Sequence, residues 1–323
     1  MIVVTGATGF IGSNLLAELE NSGYNDIVAI DSFGTGDKWK NVAKRSSVRF
    51  IFPEQAELFL NTNRDIISSI IHLGAISSTT ERNVDLIAKT NIQLTMWLYD
   101  FCKKNQISFI YASSAATYGQ GKNEQDFIDN ESLVYLSSLK PLNPYGWSKL
   151  CVDKLIVADK LKNDVQNQVV GLRFFNVYGP NEYHKGGQMS VVASFFEQYQ
   201  TDGVAKLFKS NGARRDFVYV DDCVDVIVWM IEHPKCNGLF NVGTGEATSY
   251  EQVAHCVSEA MGLDGAIEYI DMPQEIANQY QFYTQAQMGK LNAAGYVRRM
   301  TSVSEGISKY VNTYLKNENQ KYK

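Results

Sequence analysis

The chain has 323 residues, 45% of them hydrophobic and 20% charged, with 6 prolines and a formal net charge of −5. The acidic balance, with no basic cluster longer than Arg214-Arg215 or Arg298-Arg299, argues against nucleic acid, which needs several cations on one face. No apolar stretch approaches the ~20 residues of a membrane span, no leader precedes IVVTGATG, and the five cysteines lack zinc spacing. A cytoplasmic protein with reduced thiols, no metal and no membrane partner is therefore expected.

Short apolar runs rich in β-branched and aromatic residues recur at 2–5 (IVVT), 26–30 (DIVAI), 48–52 (VRFIF), 69–73 (SIIHL), 107–113 (ISFIYAS) and 169–175 (VVGLRFF). Longer stretches with helical spacing separate them. Strands buried on both faces of a parallel sheet read this way, so the fold expected is α/β, a doubly wound Rossmann parallel sheet. After Pro180 helical segments take over, with Ser249/Gln252 and Ser302/Glu305 at capping-box spacing. FVYV at 217–220 and LFNVG at 239–243 read as strands returning to the first sheet. A chain of this length exceeds one core. The division expected is residues 1–176 plus about 216–243 as the dinucleotide-binding domain, with about 177–215 plus 244–316 as a smaller, interleaved α/β substrate domain. Residues 317–323 read as a fraying tail.

Within this frame, GATGFIG at 6–12 lies between the first strand and a helical pattern. Gly6 permits the tight turn, Gly9 lets the backbone approach a pyrophosphate, and Gly12 lets helix and strand pack closely. Asp31 ends the second run, where a carboxylate holds ribose hydroxyls. Asp31 disfavours a 2′-phosphate and so favours NAD; Lys38, seven residues on, offers such a phosphate a cation. The residues alone leave NAD and NADP even.

Tyr-x-x-x-Lys puts a phenol and an ammonium on one helix face, and it occurs three times. Tyr99–Lys103 sits where an aromatic is most simply core, and Tyr118–Lys122 spans Gly-Gln-Gly, which no helix would align. Tyr145–Lys149 follows Asn-Pro, a helix-start signal. Upstream, SSAATYG delivers Ser114 to the carboxyl edge of the sheet, in reach of the same substrate oxygen. That is a hydride-transfer constellation, in which Lys149 is expected to lower the Tyr145 pKa.

TGATGFIG, Ser114 in YASSAATYG and Tyr145–Lys149 in NPYGWSK together resemble the extended short-chain dehydrogenase/reductase family, whose members modify nucleotide-sugars. HLGAISSTTE, RFFNVYGP, HKG at 184–186, RRDFVYV and FNVGTG are similar to the ADP-heptose 6-epimerases within it, over nearly the whole chain. The chain departs from that pattern at Ser32 and at Gly187-Gln188.

The resemblance implies an isomerase that uses tightly bound NADP, an ADP-heptose substrate, a homo-oligomer and a place in lipopolysaccharide precursor synthesis. It implies cofactor contacts from Phe10, Ile11, Asp31, Ser32, Lys38, Leu73, Gly74, Ala75, Ile76, Ser77, Asn91, Lys149, Val177 and Lys185. Substrate contacts are implied for Ser114, Asn176, Gly187, Ser194, Phe208, Lys209, Ser210, Arg215 and Tyr280. Inversion at an exocyclic C6″ turns its oxygen away from Tyr145 after bond rotation, so a second acid–base group is needed on the opposite wall. Lys185, in a loop whose backbone Gly186 and Gly187 would let come close, is the candidate, with His184 as runner-up and rather a positioning residue. Another nucleotide-sugar epimerase or reductase is the alternative reading. A catalytically dead dinucleotide sensor is disfavoured because the tyrosine and lysine are both present.

Overall fold

The computed structural model describes residues 1–209, 212–274 and 280–323. The six runs form strands β1 (Ile2–Thr5), β2 (Ile27–Ile30), β3 (Val48–Ile51), β4 (Ser69–His72), β5 (Ser108–Ser114) and β6 (Val169–Phe174). Seven more follow among the described residues: β7 (Asn176–Tyr178), β8 (Val204–Phe208), β9 (Arg214–Arg215), β10 (Phe217–Tyr219), β11 (Gly238–Val242), β12 (Thr248–Ser249) and β13 (Ala266–Ile270). The main sheet is parallel and seven-stranded, in the order β11-β6-β5-β4-β1-β2-β3.

Every residue of β1, β2, β4 and β6 is buried, because the sheet is covered on both faces. Successive β1 side chains enter opposite cores. Ile2 and Val4 join Leu15 and Leu16 of helix α1 (Phe10–Asn21) and residues of the Val220–Glu232 helix. Val3 joins Leu98 and Phe101 of the Leu94–Asn105 helix, with Val152 and Ile156 of the Pro144–Lys162 helix.

A third apolar cluster lies apart from the sheet, where Val192, Phe195 and Phe196 meet Val253, Val257, Ile307 and Tyr310. It is drawn from the Val191–Thr201, Tyr250–Met261 and Val303–Lys309 helices and their surroundings. Ser302 and Glu305 form a full capping box, whereas Ser249 makes only the forward bond, accepting from the Gln252 amide. Among the described residues no helix is long and apolar enough to cross a membrane.

Two expectations need correction. LFNVG enters the main sheet as β11, but FVYV does not: β10 pairs with β7 in a separate two-stranded sheet. The free edge of β6 is taken by β11 along its whole length, from Val170 opposite Gly238 to Phe174 opposite Val242. Residues 217–219 pair instead with the continuation of the chain beyond Phe175, Phe217 opposite Asn176 and Tyr219 opposite Tyr178. The tail 317–323 also makes contacts. The Tyr322 ring packs edge-on against Tyr183 at 5.3 Å, the Lys323 amide donates to Asn181 Oδ1 at 3.0 Å, and its ammonium meets Asp221 at 2.7 Å. An aromatic ring and a cation with partners this close outweigh the polar composition that suggested fraying.

Candidate active site

The carboxyl ends of the strands open into one cavity of about 670 Å³. Its floor is the glycine loop between β1 and α1. Gly6 has φ +64, and a Cβ there would lie 2.5 Å from the Gly74 amide nitrogen; a Cβ at Gly12 would lie 2.2 Å from the Gly6 carbonyl oxygen. Backbone fills the space that any side chain would need. Gly9 caps α1 without a side-chain hydrogen bond, which leaves the first helix N–H groups available to an anion. The same cavity is lined by Phe10, Ile11, Asp31, Lys38, Leu73, Gly74, Ala75, Ser77 and Val177, and these fit a dinucleotide.

Asp31 is the organising charge at this end. Its Oδ2 accepts from the Thr8 amide at 2.9 Å and the Thr8 hydroxyl at 2.7 Å, and its Oδ1 meets Lys38 at 2.9 Å. Lys38 also donates to the Ser32 carbonyl at 2.9 Å. Ser32 and Ile76 are absent from the cavity wall, and so is Asn91. Asn91 is fully buried and acts on the wall from behind, bonding the Ile76 amide and carbonyl at 2.9 and 3.0 Å and Ser148 Oγ at 3.1 Å.

The middle of the cavity carries Ser114, Tyr145, Lys149 and Asn176. Asn143 caps the Pro144–Lys162 helix by accepting from the Gly146 amide at 2.8 Å, which fixes where Tyr145 and Lys149 emerge. The Lys149 ammonium donates to the Ala112 carbonyl at 2.8 Å. Burial pulls its pKa down to about 8, with Asp153 acting in the other direction. Tyr145 departs from expectation. Burial raises its pKa, and the hydrogen bond with Ser114, rather than Lys149, is what works against that rise. The lysine faces a backbone carbonyl, so the phenol is left with the serine.

The other two Tyr-x-x-x-Lys pairs have structural partners. Tyr99 is fully buried, with its hydroxyl on Asp159 at 2.6 Å beside Lys103 at 2.8 Å, and Tyr118 donates to Asn241 Oδ1 at 2.7 Å.

Lys185 enters on the turn Tyr183–Gln188, with its ammonium 5.1 Å from the Phe10 ring centroid. Burial lowers its pKa, and the fully buried Glu182 opposes that shift. Glu182 anchors both ends of the turn, accepting from the Gly179 amide at 3.3 Å and Ser190 Oγ at 2.7 Å. Gly186 needs to be glycine for its φ of +52, whereas a Cβ at Gly187 would meet open space. Gly187 is off the cavity wall.

Beyond the turn the expected substrate residues divide. Arg215 is 6% exposed, donates to Gln281 Oε1 at 3.2 Å, and has its guanidinium 5.1 Å from the Tyr280 ring centroid. Its buried Nε has no partner among the described residues, a donor ready for an anion. Ser194 Oγ accepts from Gln198 within its own helix, and Lys209 pairs with Asp271 at 2.8 Å on the surface. None of Ser194, Phe208, Lys209, Arg215 and Tyr280 lines the cavity itself, and Ser210 lies outside the described residues.

Sequence reasoning did not find Gln188, Met189, Phe217 or Tyr250, all on the cavity wall. Tyr250 stands edge-on to Phe217 at 5.7 Å and 6.3 Å from Tyr280, so it links the cavity to the Arg215 end. Only the aromatic following the Ser249 cap hinted at it.

A family model described as the NAD dependent epimerase/dehydratase family matches residues 2–243. The ADP-L-glycero-D-manno-heptose-6-epimerase of Nitratidesulfovibrio vulgaris is 40% identical over 324 residues, 98% of each chain. Among solved structures, the Helicobacter pylori ADP-L-glycero-D-manno-heptose-6-epimerase superposes with TM-score 0.82 at 29% identity, covering 96% of this chain and 94% of that one. MoeE5, in complex with UDP-glucuronic acid and NAD, superposes with TM-score 0.77 at 26% identity over 96% and 97%.

Proposed function

Because the chain belongs to the NAD dependent epimerase/dehydratase family, we propose that it inverts C6″ of an ADP-heptose through a transient 6″-ketone. The observation that carries this reading is that Ser114 on β5, Tyr145 on the Pro144–Lys162 helix and Lys185 on the turn Tyr183–Gln188 line one cavity from three different elements. A bound nicotinamide supplies the hydride acceptor and, later, the donor. Tyr145, oriented by Ser114, takes the hydroxyl proton as the C6″–H bond breaks, and Lys149 places positive charge beneath the site. Rotation about the exocyclic bond turns the ketone oxygen toward the other wall. There Lys185, its ammonium made more acidic by burial, returns a proton to oxygen as the opposite face of C6″ is reduced. Arg215 holds the diphosphate through its free Nε, with Tyr280 against its guanidinium.

The cofactor in this reading is NADP, with Lys38 leaving Asp31 to meet the 2′-phosphate while Thr8 keeps the Asp31 carboxylate satisfied. The reading also has residues 1–176 plus about 216–243 holding the dinucleotide and the remainder the sugar nucleotide. It places the enzyme in the cytoplasm as a homo-oligomer.

The test uses ADP-heptose deuterated at C6″, with no added cofactor, followed by mass spectrometry of the dinucleotide released on denaturation. The expected product is the C6″ epimer with the deuterium retained, and the released nucleotide is NADP. Washout of the label, or turnover only with added NAD(P), would overturn the self-returning hydride.

A further inference from the structure

His184 sits beside Lys185 on the turn Tyr183–Gln188 and lines the same cavity as the glycine loop, Asp31 and Lys38. Its Nδ1 has two neighbours, Asn41 Nδ2 at 3.0 Å and the Asn181 carbonyl at 3.1 Å. The orientation of Asn41 follows from its other bond. Nδ2 donates to the Thr8 carbonyl at 3.0 Å, so the same nitrogen presents a second N–H to the histidine. In the neutral ring Nδ1 then accepts from Asn41 and the proton resides on Nε2; in the imidazolium Nδ1–H turns to Asn181 and Nε2 keeps its proton. Either way, Nε2 is a donor.

The ring is also held firmly. Asn41 and Asn181 are fully buried, and Asn181 Nδ2 donates to Ser13 Oγ at the start of α1 at 3.0 Å. His184 is thus tied to Thr8 inside the glycine loop and to α1 behind it, although the sequence separates it from both by more than a hundred residues. The charges around it are Lys38, Lys185 and Asp31, and burial and the two ammoniums disfavour its protonation. Asp31 is itself engaged by Thr8 and Lys38. Two lysines and an imidazole donor therefore converge on one stretch of cavity whose single carboxylate is taken. An anion of more than one charge is what such a stretch holds.

We propose that His184 Nε2 is a phosphate contact of the bound dinucleotide, which makes the turn carrying Lys185 part of the cofactor site. The inference rests on the dinucleotide reading of the cavity. Two sources of phosphate fit it, the pyrophosphate and a 2′-phosphate, and the experiment separates them.

Nucleotide-stripped wild type, His184→Gln and His184→Asn are titrated calorimetrically with NADP and with NAD. Glutamine keeps a donor where Nε2 stands, and asparagine keeps only the position of Nδ1. The expected result is that His184→Asn binds roughly tenfold to a hundredfold more weakly, the range for losing a hydrogen bond to a charged partner, while His184→Gln stays near wild type. A loss confined to NADP assigns the contact to the 2′-phosphate, and an equal loss with NAD assigns it to the pyrophosphate. Wild-type affinity in His184→Asn overturns the proposal. So does a loss in His184→Gln alone, which would mark the Nδ1 links as the whole role, and so does an equal loss in both variants, because a donor kept at the Nε2 position would then restore nothing. A second measurement needs no variant: in ¹⁵N-histidine-labelled wild type the His184 Nε2 resonance moves when NADP is added, and an unmoved resonance overturns the contact. If the wild type binds neither nucleotide, the dinucleotide reading itself fails.

Discussion

Two stretches of the cavity wall are built by different means. At the glycine loop the walls are main chain: a single carbon added at Gly6 would collide with the Gly74 backbone, and one added at Gly12 with the Gly6 carbonyl. On the Lys185 side the wall is an irregular turn held by one buried carboxylate, with function in the tips of long side chains. The first kind of site tolerates no side chain but asks little of its chemistry. The second tolerates neighbours loosely, as the open space around Gly187 shows, but depends on single atoms. Main-chain sites therefore break by steric change, and side-chain sites break by chemical change.

The largest effect expected is at the loop. In Gly12→Val the new Cβ would overlap the Gly6 carbonyl, so the variant should retain no dinucleotide and lose on the order of 3 kcal/mol of stability. Urea unfolding and nucleotide release check both; normal binding would mean that the cradle yields, and the contrast would be lost. Next, Tyr145→Phe leaves shape intact and removes one oxygen. Its turnover should fall by roughly 10²–10⁴-fold with cofactor affinity unchanged, the range for a positioned proton-transfer group.

A smaller effect concerns Lys149, whose pKa is lowered to about 8 from 10.5. Below about pH 8 both folded and unfolded chains carry its proton, and the folded chain bears the full cost of burying the charge. Between pH 8 and 10.5 the folded chain releases the proton first, so this cost fades and stability rises relative to Lys149→Met. The difference should reach about 3 kcal/mol at most. Denaturant midpoints of the two proteins that run parallel across that window would show Lys149 to titrate normally.

Smallest is a paired comparison at the far end. Arg215→Ala should raise KM for the ADP-sugar roughly tenfold or more through loss of a charged hydrogen bond. Lys209→Ala, whose ammonium meets Asp271 on the surface, should leave KM within about twofold. Equal effects would mean that both face the substrate.

What the sequence made legible follows the same division. Six apolar runs became the first six strands because buried strands show it in composition alone, and Gly6 and Gly12 were readable because backbone occupies the space a side chain would need. Tyr145–Lys149 could be told apart from Tyr99–Lys103 because helix-start chemistry is local, and it is the pair that lines the cavity. The failures involve partners distant in the chain. That Lys149 would turn to Ala112 rather than support Tyr145 depends on where β5 passes the helix, and no spacing encodes that. The fate of FVYV was decided by β11 taking the edge of β6, a competition between segments. Gln188, Phe217 and Tyr250 were missed because the cavity gathers them from three elements, each carrying an ordinary core or turn residue.

The most direct test of the two-wall account is Lys185→Met assayed twice: for epimerisation of ADP-heptose, and for dismutation of an analogue bearing an aldehyde at C6″. Dismutation needs only Tyr145, whereas inversion needs a proton on both walls. The account predicts epimerisation at least about a hundredfold slower with dismutation preserved. Epimerisation by Lys185→Met at close to the wild-type rate would contradict it and leave Lys185 a loop cation without a part in the chemistry.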